Sequence, residues 1–263
     1  MTHAATGAQR PPAHSDELSH KQIVTIIIGL MTGMFLAALD QNIVGTAIKT
    51  IADELHGLDQ QAWVTTAYMI TSTISTPIYG KLSDMYGRKW FFLAAITIFV
   101  IGSAMCSFAT SMYSLAAFRA FQGLGAGGLF SLALAIVGDI VPPRERAKYQ
   151  GYFLAVFGTS SVLGPVIGGF FAQADSILGL TGWRWVFLVN VPVGLVAFAV
   201  VWATLHLKHV RRQARIDWWG ATTIVVGVIP LLLVAEQGYG WGWTSPSSLA
   251  CYAVGLLGLM AFV

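Results

Sequence analysis

Charged residues are scarce in this sequence. Asp, Glu, Lys and Arg make up only 10% of its 263 residues, whereas soluble domains carry about 25%. The hydrophobic share is 56%, and the apolar residues form blocks of the roughly 20 residues that a helix needs to cross a bilayer. The charge is too sparse to cover a surface that faces water. The composition therefore excludes a soluble domain and indicates an integral membrane protein.

Cysteines are also scarce, and the residue clusters typical of enzymes are missing. Cys106 and Cys251 are the only two cysteines, and both lie in apolar runs, so we expect neither a disulfide framework nor a metal site. The sequence contains no Walker-type phosphate loop and no His/Asp or paired-carboxylate constellation. The pattern argues against an enzyme, an ATP-driven pump, a bound cofactor and a nucleic-acid partner.

Residues 1–21 are polar, contain Pro11-Pro12 and lack the apolar core of a signal peptide, so they predict a disordered cytoplasmic tail. The apolar blocks after them predict seven complete transmembrane helices and the start of an eighth near residue 249. That last run holds 15 residues, or about 22 Å of helix, which is short of the roughly 30 Å hydrocarbon core. We therefore expect the sequence to end inside a helix, as the amino-terminal portion of a longer protein. The seven complete spans are 23–48, 62–80, 90–109, 112–137, 150–172, 185–205 and 218–235.

The distribution of Lys and Arg predicts the orientation in the membrane. With the amino terminus inside, the cytoplasmic segments hold twelve of the fifteen Lys and Arg residues and the outer segments hold two, Lys49 and Arg184. Cytoplasmic loops collect positive charge, so we expect a multi-pass protein of the cytoplasmic (plasma) membrane with its amino terminus inside.

An internal repeat marks the starts of the third and sixth predicted helices. "GRKWFFL" (87–93) and "GWRWVFL" (182–188) align at a fixed offset of 95 and lie at opposite membrane faces. Three-helix units repeated with opposite orientation are a common transporter architecture. The alternative is two unrelated interfacial anchors, since Trp beside a cation is favoured at either membrane boundary.

Asp40 is the only charge in the apolar run from Ile23 to about Ile48. Ionisable residues inside a membrane are costly and usually functional; desolvation favours the neutral acid, while a nearby cation favours the charged form. Asp40 could therefore take up and release a proton, although a fixed structural hydrogen bond is the alternative. Arg119, the other deep charge, is placed at a similar depth in the outer half of the membrane, with Gln122 on its helical face. The alternative for Arg119 is that it snorkels alone to the outer interface.

Two further stretches have a distinctive pattern. "GTSSVLGPVIGG" (158–169) combines Gly164 and Gly168 with Pro165, which predicts a bent helix in close contact with another helix. The inner loop "GKLSDMYGRK" (80–89) carries an Asp and two glycines, more than a basic hairpin needs for topology alone.

These stretches, with "LDQNIV", "RAFQGLGAGG" and "WRWVFLVNVPVG", resemble the major facilitator superfamily, specifically its fourteen-helix drug:proton antiporter branch. The resemblance covers residues from about 22 to 263. It implies an all-α polytopic fold with a six-helix domain at 22–205 built as a 3+3 inverted repeat. A basic cytoplasmic linker at 206–217 and two inserted helices at 218–263, the second truncated, would follow. The family usually has Pro where this chain has Lys49, a cation that could alter substrate preference.

The resemblance also implies roles for individual residues. Asp40 matches the acidic motif of the first helix, and Asp40 and Arg119 are implied in proton coupling. The remaining motif residues are Gly80, Asp84, Gly87 and Arg88 in an inner-loop gate, Arg119, Gln122 and Gly123 in the fourth-helix motif, and Gly158, Gly164, Pro165, Gly168 and Gly169 in the fifth-helix motif of exporters.

The function expected from these observations is proton-coupled antiport that exports small amphipathic or cationic compounds (multidrug efflux). The alternative within transport is export of a native lipid or metabolite by the same mechanism, and from another class a membrane enzyme or an assembly scaffold. The expected partners are a small-molecule substrate, protons, the lipid bilayer and the missing carboxy-terminal half of the transporter.

Overall fold

The structure is a computed structural model that describes residues 19–205 and 218–262, and most of these residues are helical. Two short 3₁₀ turns (Leu58–Gln60 and Gly182–Arg184) and a two-residue antiparallel strand pair, β1 (Ser176–Ile177) and β2 (Leu180–Thr181), connect helices. Most of the predicted disordered tail and the whole predicted basic linker lie outside the described residues. The helices are α1 (His20–Glu54), α2 (Gln61–Tyr86), α3 (Arg88–Ser107), α4 (Met112–Ile140), α5 (Arg146–Gln173), α6 (Trp185–Leu188), α7 (Asn190–Thr204), α8 (Trp218–Trp241) and α9 (Pro246–Phe262).

Six segments of the described chain are long and apolar enough to cross a membrane: α1, α3, α4, α5, α8 and the joined segment Gly182–Thr204 that contains α6 and α7. Helix α2 has 26 residues but is less apolar because Thr and Ser residues recur along it. It packs mainly against α4. Helix α9 is shorter, at 17 residues, and packs against α8. The all-α polytopic fold predicted from the apolar blocks is confirmed.

Local sequence explains where several helices begin and end. Ser19 and Ser111 each form a capping box at the start of α1 and α4, in which the serine side chain accepts a hydrogen bond from the backbone three residues later. Gly87 has φ of +107°, a backbone conformation that glycine adopts without steric penalty. A single glycine therefore ends α2 and allows α3 to begin in a new direction.

Contacts between helix termini define the two ends of the bundle. At one, the Arg88 end, the start of α3 meets the end of α4 through Arg88 and Asp139, and the starts of α1 and α5 meet through His20 and Tyr149. At the other, the Arg184 end, the Trp183 indole donates to Glu54 at the end of α1 over 3.0 Å. The helices of the six-span domain therefore run between two defined faces.

The buried side chains form two hydrophobic clusters stacked along the bundle. The cluster toward the Arg88 end contains buried residues of α1 from Ile26 to Ala38 and buried residues of α4 after Gly125. The cluster toward the Arg184 end contains buried residues of α1 from Leu39 to Ala52, together with Met112 and Leu115 of α4. The boundary falls at Asp40 on α1 and near Arg119 on α4. The fold thus holds a polar layer between two apolar ones.

Helices α3 and α7 hold each other through the two copies of the repeated motif. Lys89 Nζ at the start of α3 donates to the carbonyl of Trp202 near the end of α7 at 2.7 Å. Arg184 Nη1, just before α6, donates to the carbonyl of Ser107 at the end of α3 and to that of Ala109 at 3.2 Å. At the repeat offset of 95 positions, Lys89 corresponds to Arg184 and Ser107 corresponds to Trp202. The two contacts are therefore equivalent: in each, the cation at the start of one copy donates to a carbonyl near the end of the other. Two unrelated interfacial anchors would have no reason to be linked in this way, and the inverted repeat is confirmed.

We predict that Arg184→Met destabilises the bundle more than Lys89→Met does. Each substitution removes a cation that satisfies carbonyls left without donors at a helix end, but Arg184 donates to two carbonyls in a part-buried position while the Lys89 contact is exposed. The expected losses in free energy of unfolding are about 2 kcal/mol for Arg184→Met and below about 1 kcal/mol for Lys89→Met. Thermal unfolding in detergent, with Lys81→Met as the control at the Arg88 end, measures both. Equal losses for the two variants would contradict the prediction.

Candidate functional site

The two deep charges of the sequence, Asp40 on α1 and Arg119 on α4, form an ion pair. Arg119 Nη1 lies 2.5 Å from Asp40 Oδ2, and the exposed fractions of the two side chains are 2% for Arg119 and 0% for Asp40. Removing one partner of such a pair would leave an uncompensated buried charge, at a cost of several kcal/mol. The pairing therefore explains how a carboxylate is tolerated at this depth, and Arg119 does not snorkel alone.

Two amide side chains complete the hydrogen bonding of the Asp40 carboxylate. Gln122 Nε2 donates to Oδ1 at 3.0 Å, and Asn190 Nδ2 donates to the same oxygen at 2.6 Å. The Gln122 carbonyl oxygen accepts from Arg119 Nη1 at 2.8 Å, so the Gln122 amide connects the two charges. Every one of these partners presents an N–H group to the carboxylate, which can accept at both of its oxygens.

The network continues from Asn190 into α3. Ser103 Oγ accepts from Asn190 Nδ2 at 2.9 Å and donates to the carbonyl of Phe187 at 2.9 Å. Asn190 and Ser103 are fully buried. One hydrogen-bonded chain therefore links the ion pair between α1 and α4 to α3 and to the carbonyl of Phe187 on α6.

Helices α2 and α3 enclose the ion pair on its remaining sides. The Arg119 guanidinium carbon lies 4.0 Å from the centre of the Tyr68 ring, a distance at which a cation is attracted to the face of an aromatic ring. Cys106 Sγ lies 3.7 Å from Gln122 Oε1. With apolar clusters above and below, the pair is held in a water-poor layer where electrostatic interactions are strong.

Three buried polar atoms of this layer have no hydrogen-bond partner. They are Arg119 Nε, Asn190 Oδ1 and Tyr68 Oη, three of the five such side-chain atoms in the part of the chain that the structure describes. Buried polar atoms are nearly always paired, so an unpaired donor and an unpaired acceptor within one network indicate that it can be rearranged.

Sequence reasoning did not identify Asn190, Ser103 or Tyr68 as site residues. Asn190 lies in the quoted stretch "WRWVFLVNVPVG", and the available signal was a lone amide inside a predicted apolar helix. Ser103 and Tyr68 carried no such signal, because hydroxyl groups are common in membrane helices and often bond to their own helix.

Glycines of α4 allow the close helix contacts around the pair. A Cβ atom at Gly123 would overlap the backbone carbonyl of Tyr68 on α2, and one at Gly125 would lie 2.6 Å from the backbone nitrogen of Phe99 on α3. Small residues at these positions let backbones approach closely. Gly123, predicted as part of the fourth-helix motif, therefore seats α4 against the helix that carries Tyr68.

The glycines predicted as the fifth-helix motif divide into two groups. Cβ atoms at Gly164 and Gly168 would collide with α1 at Asn42 and at the Ile43 carbonyl, whereas Gly158 and Gly169 have open space around them. Pro165 lies inside α5, which continues to Gln173. Of the four motif glycines, only Gly164 and Gly168 thus lie in the contact between α5 and α1, the helix that carries Asp40.

The predicted inner-loop motif forms a separate charged cluster at the Arg88 end. Arg88 lies 2.5 Å from Asp84 and 2.9 Å from Asp139 at the end of α4, and it also donates to the Gly80 carbonyl at 3.4 Å. Asp139 was not predicted. It lies 20 residues beyond Arg119, about 30 Å along the helix, so the structure brings these residues together with one another but not with Asp40.

Lys49, the departure from the usual family pattern, is exposed on α1. Gln41 and Gly45 are exposed as well, and the spacing of four residues places all three on one face of the helix. This face begins beside Asp40 and ends at Lys49 toward the Arg184 end.

No group of three or more His, Cys, Asp or Glu side chains within residues 19–205 and 218–262 is arranged to hold a metal ion.

Comparison with known families identifies the architecture. The model of the Major Facilitator Superfamily matches residues 30–263. The chain belongs to the Major Facilitator Superfamily. Members of this superfamily move small molecules across membranes and are transporters rather than enzymes.

Curated relatives and solved structures agree with this assignment. The chain is 42% identical to Multidrug resistance protein 3 of Bacillus subtilis over 94% of this chain and 48% of that protein, and 38% identical to its Multidrug transporter protein MdtP over 95% and 45%. It thus spans about half the length of these curated relatives. The proton:xylose symporter XylE matches with a TM-score of 0.64 at 14% identity, covering 93% of this chain and 52% of that one. The human organic anion transporter MFSD10 matches with a TM-score of 0.62 at 16% identity, covering 96% and 71%. These structural likenesses show the fold.

We predict that Gly168→Ala destabilises the bundle whereas Gly169→Ala does not. A methyl group at residue 168 would lie 2.7 Å from the Ile43 carbonyl and would push α5 from α1, while residue 169 has space for it. Overpacking costs about 1–3 kcal/mol, and alanine in an uncrowded helix position is about 1 kcal/mol better than glycine. Thermal unfolding of the two variants in the same detergent measures the difference, and equal melting temperatures would refute the assigned α1–α5 contact.

We also predict strong non-additivity at the ion pair. Asp40→Leu and Arg119→Leu should each lower the free energy of unfolding by about 3–5 kcal/mol, because each leaves one buried charge unpaired. The double substitution should lose far less than the sum, since it removes both charges. A double-mutant cycle in detergent tests this, with Lys49→Met as the exposed-charge control on α1, for which a change within about 0.5 kcal/mol is expected. Additive losses would contradict a coupled pair.

Proposed function

We propose that this chain belongs to a proton-coupled antiporter that exports small amphipathic or cationic compounds (multidrug efflux) across the cytoplasmic membrane. The observation that carries the proposal is the buried Arg119–Asp40 pair, in which the carboxylate receives N–H groups from Arg119, Gln122 and Asn190. The names of the Bacillus subtilis relatives, which describe multidrug resistance and transport, support the choice of cargo.

The chemistry follows from the charge balance of the pair. An ionised Asp40 neutralises Arg119, and protonation of Asp40 removes that neutralisation and leaves a buried cation. Such a state is unfavourable in a low-dielectric layer, so taking up a proton favours a rearrangement in which Arg119 finds water or another anion. Proton uptake and helix arrangement are thereby linked.

Antiport needs only that the proton and the cargo favour different conformations. In the proposed cycle, a proton from the acidic outer side reaches Asp40 and favours the state that releases cargo outward. Asp40 then gives the proton to the cytoplasm, and the carboxylate is free for the next cargo molecule or for Arg119. Movement of each proton contributes about 2.3 kcal/mol per 100 mV of membrane potential.

The remaining predicted sites have roles in the same cycle. We propose that the Arg88 end faces the cytoplasm, as the excess of Lys and Arg in those segments indicates, and that Arg88 with Asp84 and Asp139 forms a gate that breaks when the inner side opens. We also propose that the transporter works with a second half, because this chain spans about half of each relative.

One observation favours the second candidate, an exporter of a native lipid or metabolite. Lys49 places a cation on the exposed face of α1 that begins beside Asp40, and a cation there suits anionic cargo better than cationic cargo. Efflux assays with cationic dyes, paired with lipid and metabolite profiling of a strain that lacks the protein, separate the two candidates.

We predict that Asp40→Asn abolishes proton-driven export. Asn cannot carry the proton but has nearly the same shape, so the full-length protein in vesicles with an imposed pH gradient should lose at least about tenfold in coupled transport, in the range of usual coupling energies. Substrate binding at equilibrium should become insensitive to pH.

The control for this experiment is Lys21→Met, which alters an exposed charge on the same helix, far from Asp40, and should retain proton-driven export. Asp40→Asn that is monodisperse in detergent and still transports at the wild-type rate would overturn the proposal. A protein that acts as a scaffold would tolerate neutral substitutions at both Asp40 and Arg119.

A further inference from the structure

We propose that Asn190 responds to protonation of Asp40 by rotating its side-chain amide. In this proposal its amide group donates to the ionised carboxylate and rotates to accept from the protonated acid, which passes the change to the junction of α6 and α7. The inference rests on the proposed function, because it requires that Asp40 carries the proton.

The donor and acceptor pattern fixes the amide orientation in the ionised state. Asn190 Nδ2 faces two acceptors, Asp40 Oδ1 at 2.6 Å and Ser103 Oγ at 2.9 Å. The Ser103 hydroxyl uses its own hydrogen for the Phe187 carbonyl and can therefore only accept from Asn190. Both neighbours thus require the NH₂ side of the amide, and the orientation is the one expected beside a carboxylate.

The other half of the same amide has no partner. Asn190 Oδ1 is buried and accepts no hydrogen bond, although an unpaired buried acceptor costs about 1–3 kcal/mol. Once Asp40 is protonated, its new O–H group needs an acceptor, and Arg119, Gln122 Nε2 and Asn190 Nδ2 all offer donors. Rotation of the Asn190 amide by half a turn supplies that acceptor and pairs the oxygen, while it moves the NH₂ group to the side that has no partner. The rotated state is therefore favoured only while Asp40 is protonated.

The other groups beside Asp40 fit this role less well. Arg119 on α4 has no acceptor atom, and Cys106 on α3 contacts the Gln122 oxygen. Tyr68 on α2 has a buried hydroxyl without a partner, but its ring lies against the Arg119 guanidinium and the structure gives it no hydrogen bond to Asp40. Helix α5, which also packs on α1, carries no charged residue after Lys148, and α6 and α7 carry none. Gln122 is occupied in both directions, since its oxygen accepts from Arg119 and its nitrogen donates to Asp40.

Rotation of the Asn190 amide has a structural consequence outside the carboxylate. It withdraws the N–H group from Ser103, whose hydroxyl can then turn to donate to Asn190 Oδ1 and release the carbonyl of Phe187. Phe187 lies near the end of α6, and Asn190 is the first residue of α7. The protonation state of Asp40 on α1 is thereby converted into a change of hydrogen bonding inside the sixth span, at the carbonyl of Phe187.

Infrared spectroscopy offers a test, in which substitutions at Asn190 and at Asn42, the other asparagine of this chain, assign the bands. Infrared difference spectra between neutral and acidic pH are recorded on the full-length protein in lipid, with and without ¹³C-labelled asparagine. The wild type should show an Asp40 carboxylic acid band that is absent in Asp40→Asn, together with an isotope-sensitive asparagine amide band. The amide band should disappear in Asn190→Leu and persist in Asn42→Leu, whose native side chain is part-buried and bonds to Ala38 and Ser160 rather than to Asp40.

Transport measurements provide the second readout and guard against misfolding. Asn190→Leu, which has no polar group, should lose about tenfold in proton-driven efflux, comparable to one lost hydrogen bond. Asn190→Thr, whose hydroxyl both donates and accepts, should retain most of it. An Asp40 band without any band that depends on Asn190, or equal efflux by the Leu and Thr variants, would overturn the role of Asn190 and leave the proposed function intact. Absence of the Asp40 band from the wild type would overturn both.

Discussion

A carboxylate buried in the centre of a membrane bundle requires nearly complete compensation, and this requirement organises the structure around Asp40. One cation and two amide groups supply the N–H donors for its two oxygens. These donors come from α4 and α7, and α2 and α3 enclose the cation. Removing a donor therefore disturbs several helices together, because the donors tie α1 to both α4 and α7.

The surrounding architecture provides the precision that this compensation needs. Glycines at 123 and 125 bring α4 against α2 and α3, and Gly164 with Gly168 bring α5 against α1. At the two ends, Lys89 and Arg184 join α3 and α7 by equivalent contacts of the inverted repeat. The polar layer lies between the resulting clusters, in the middle of the bundle, where small movements of the repeated units change its contacts most directly.

Membership of the Major Facilitator Superfamily gives this arrangement a biological setting. Arg119, Gln122 and Asn190 all donate to the Asp40 carboxylate, and it is this arrangement that protonation would disturb in the proposed cycle. The three unpaired atoms, Arg119 Nε, Asn190 Oδ1 and Tyr68 Oη, show where a second arrangement has capacity for new hydrogen bonds. The separate cluster at Arg88 lies too far along α4 to sense the proton directly, so any communication between the two must pass through movement of whole helices.

The sequence by itself determined the membrane class and the order of the helices, and it pointed to the inverted repeat and to Asp40, Arg119 and Gln122 as candidate site residues, because apolar length, charge placement and a fixed offset are local or periodic properties. The tertiary structure decided what the sequence pattern could not: that Asn190 and Ser103 join the site, that Asp139 completes the Arg88 cluster, and that only two of the four motif glycines on α5 contact α1. Single polar residues such as Asn190 and Ser103 occur in many membrane helices, so the sequence alone does not mark them as site residues. Their role depends on which face of α7 and α3 turns toward Asp40, and that is set by packing between residues distant in the chain.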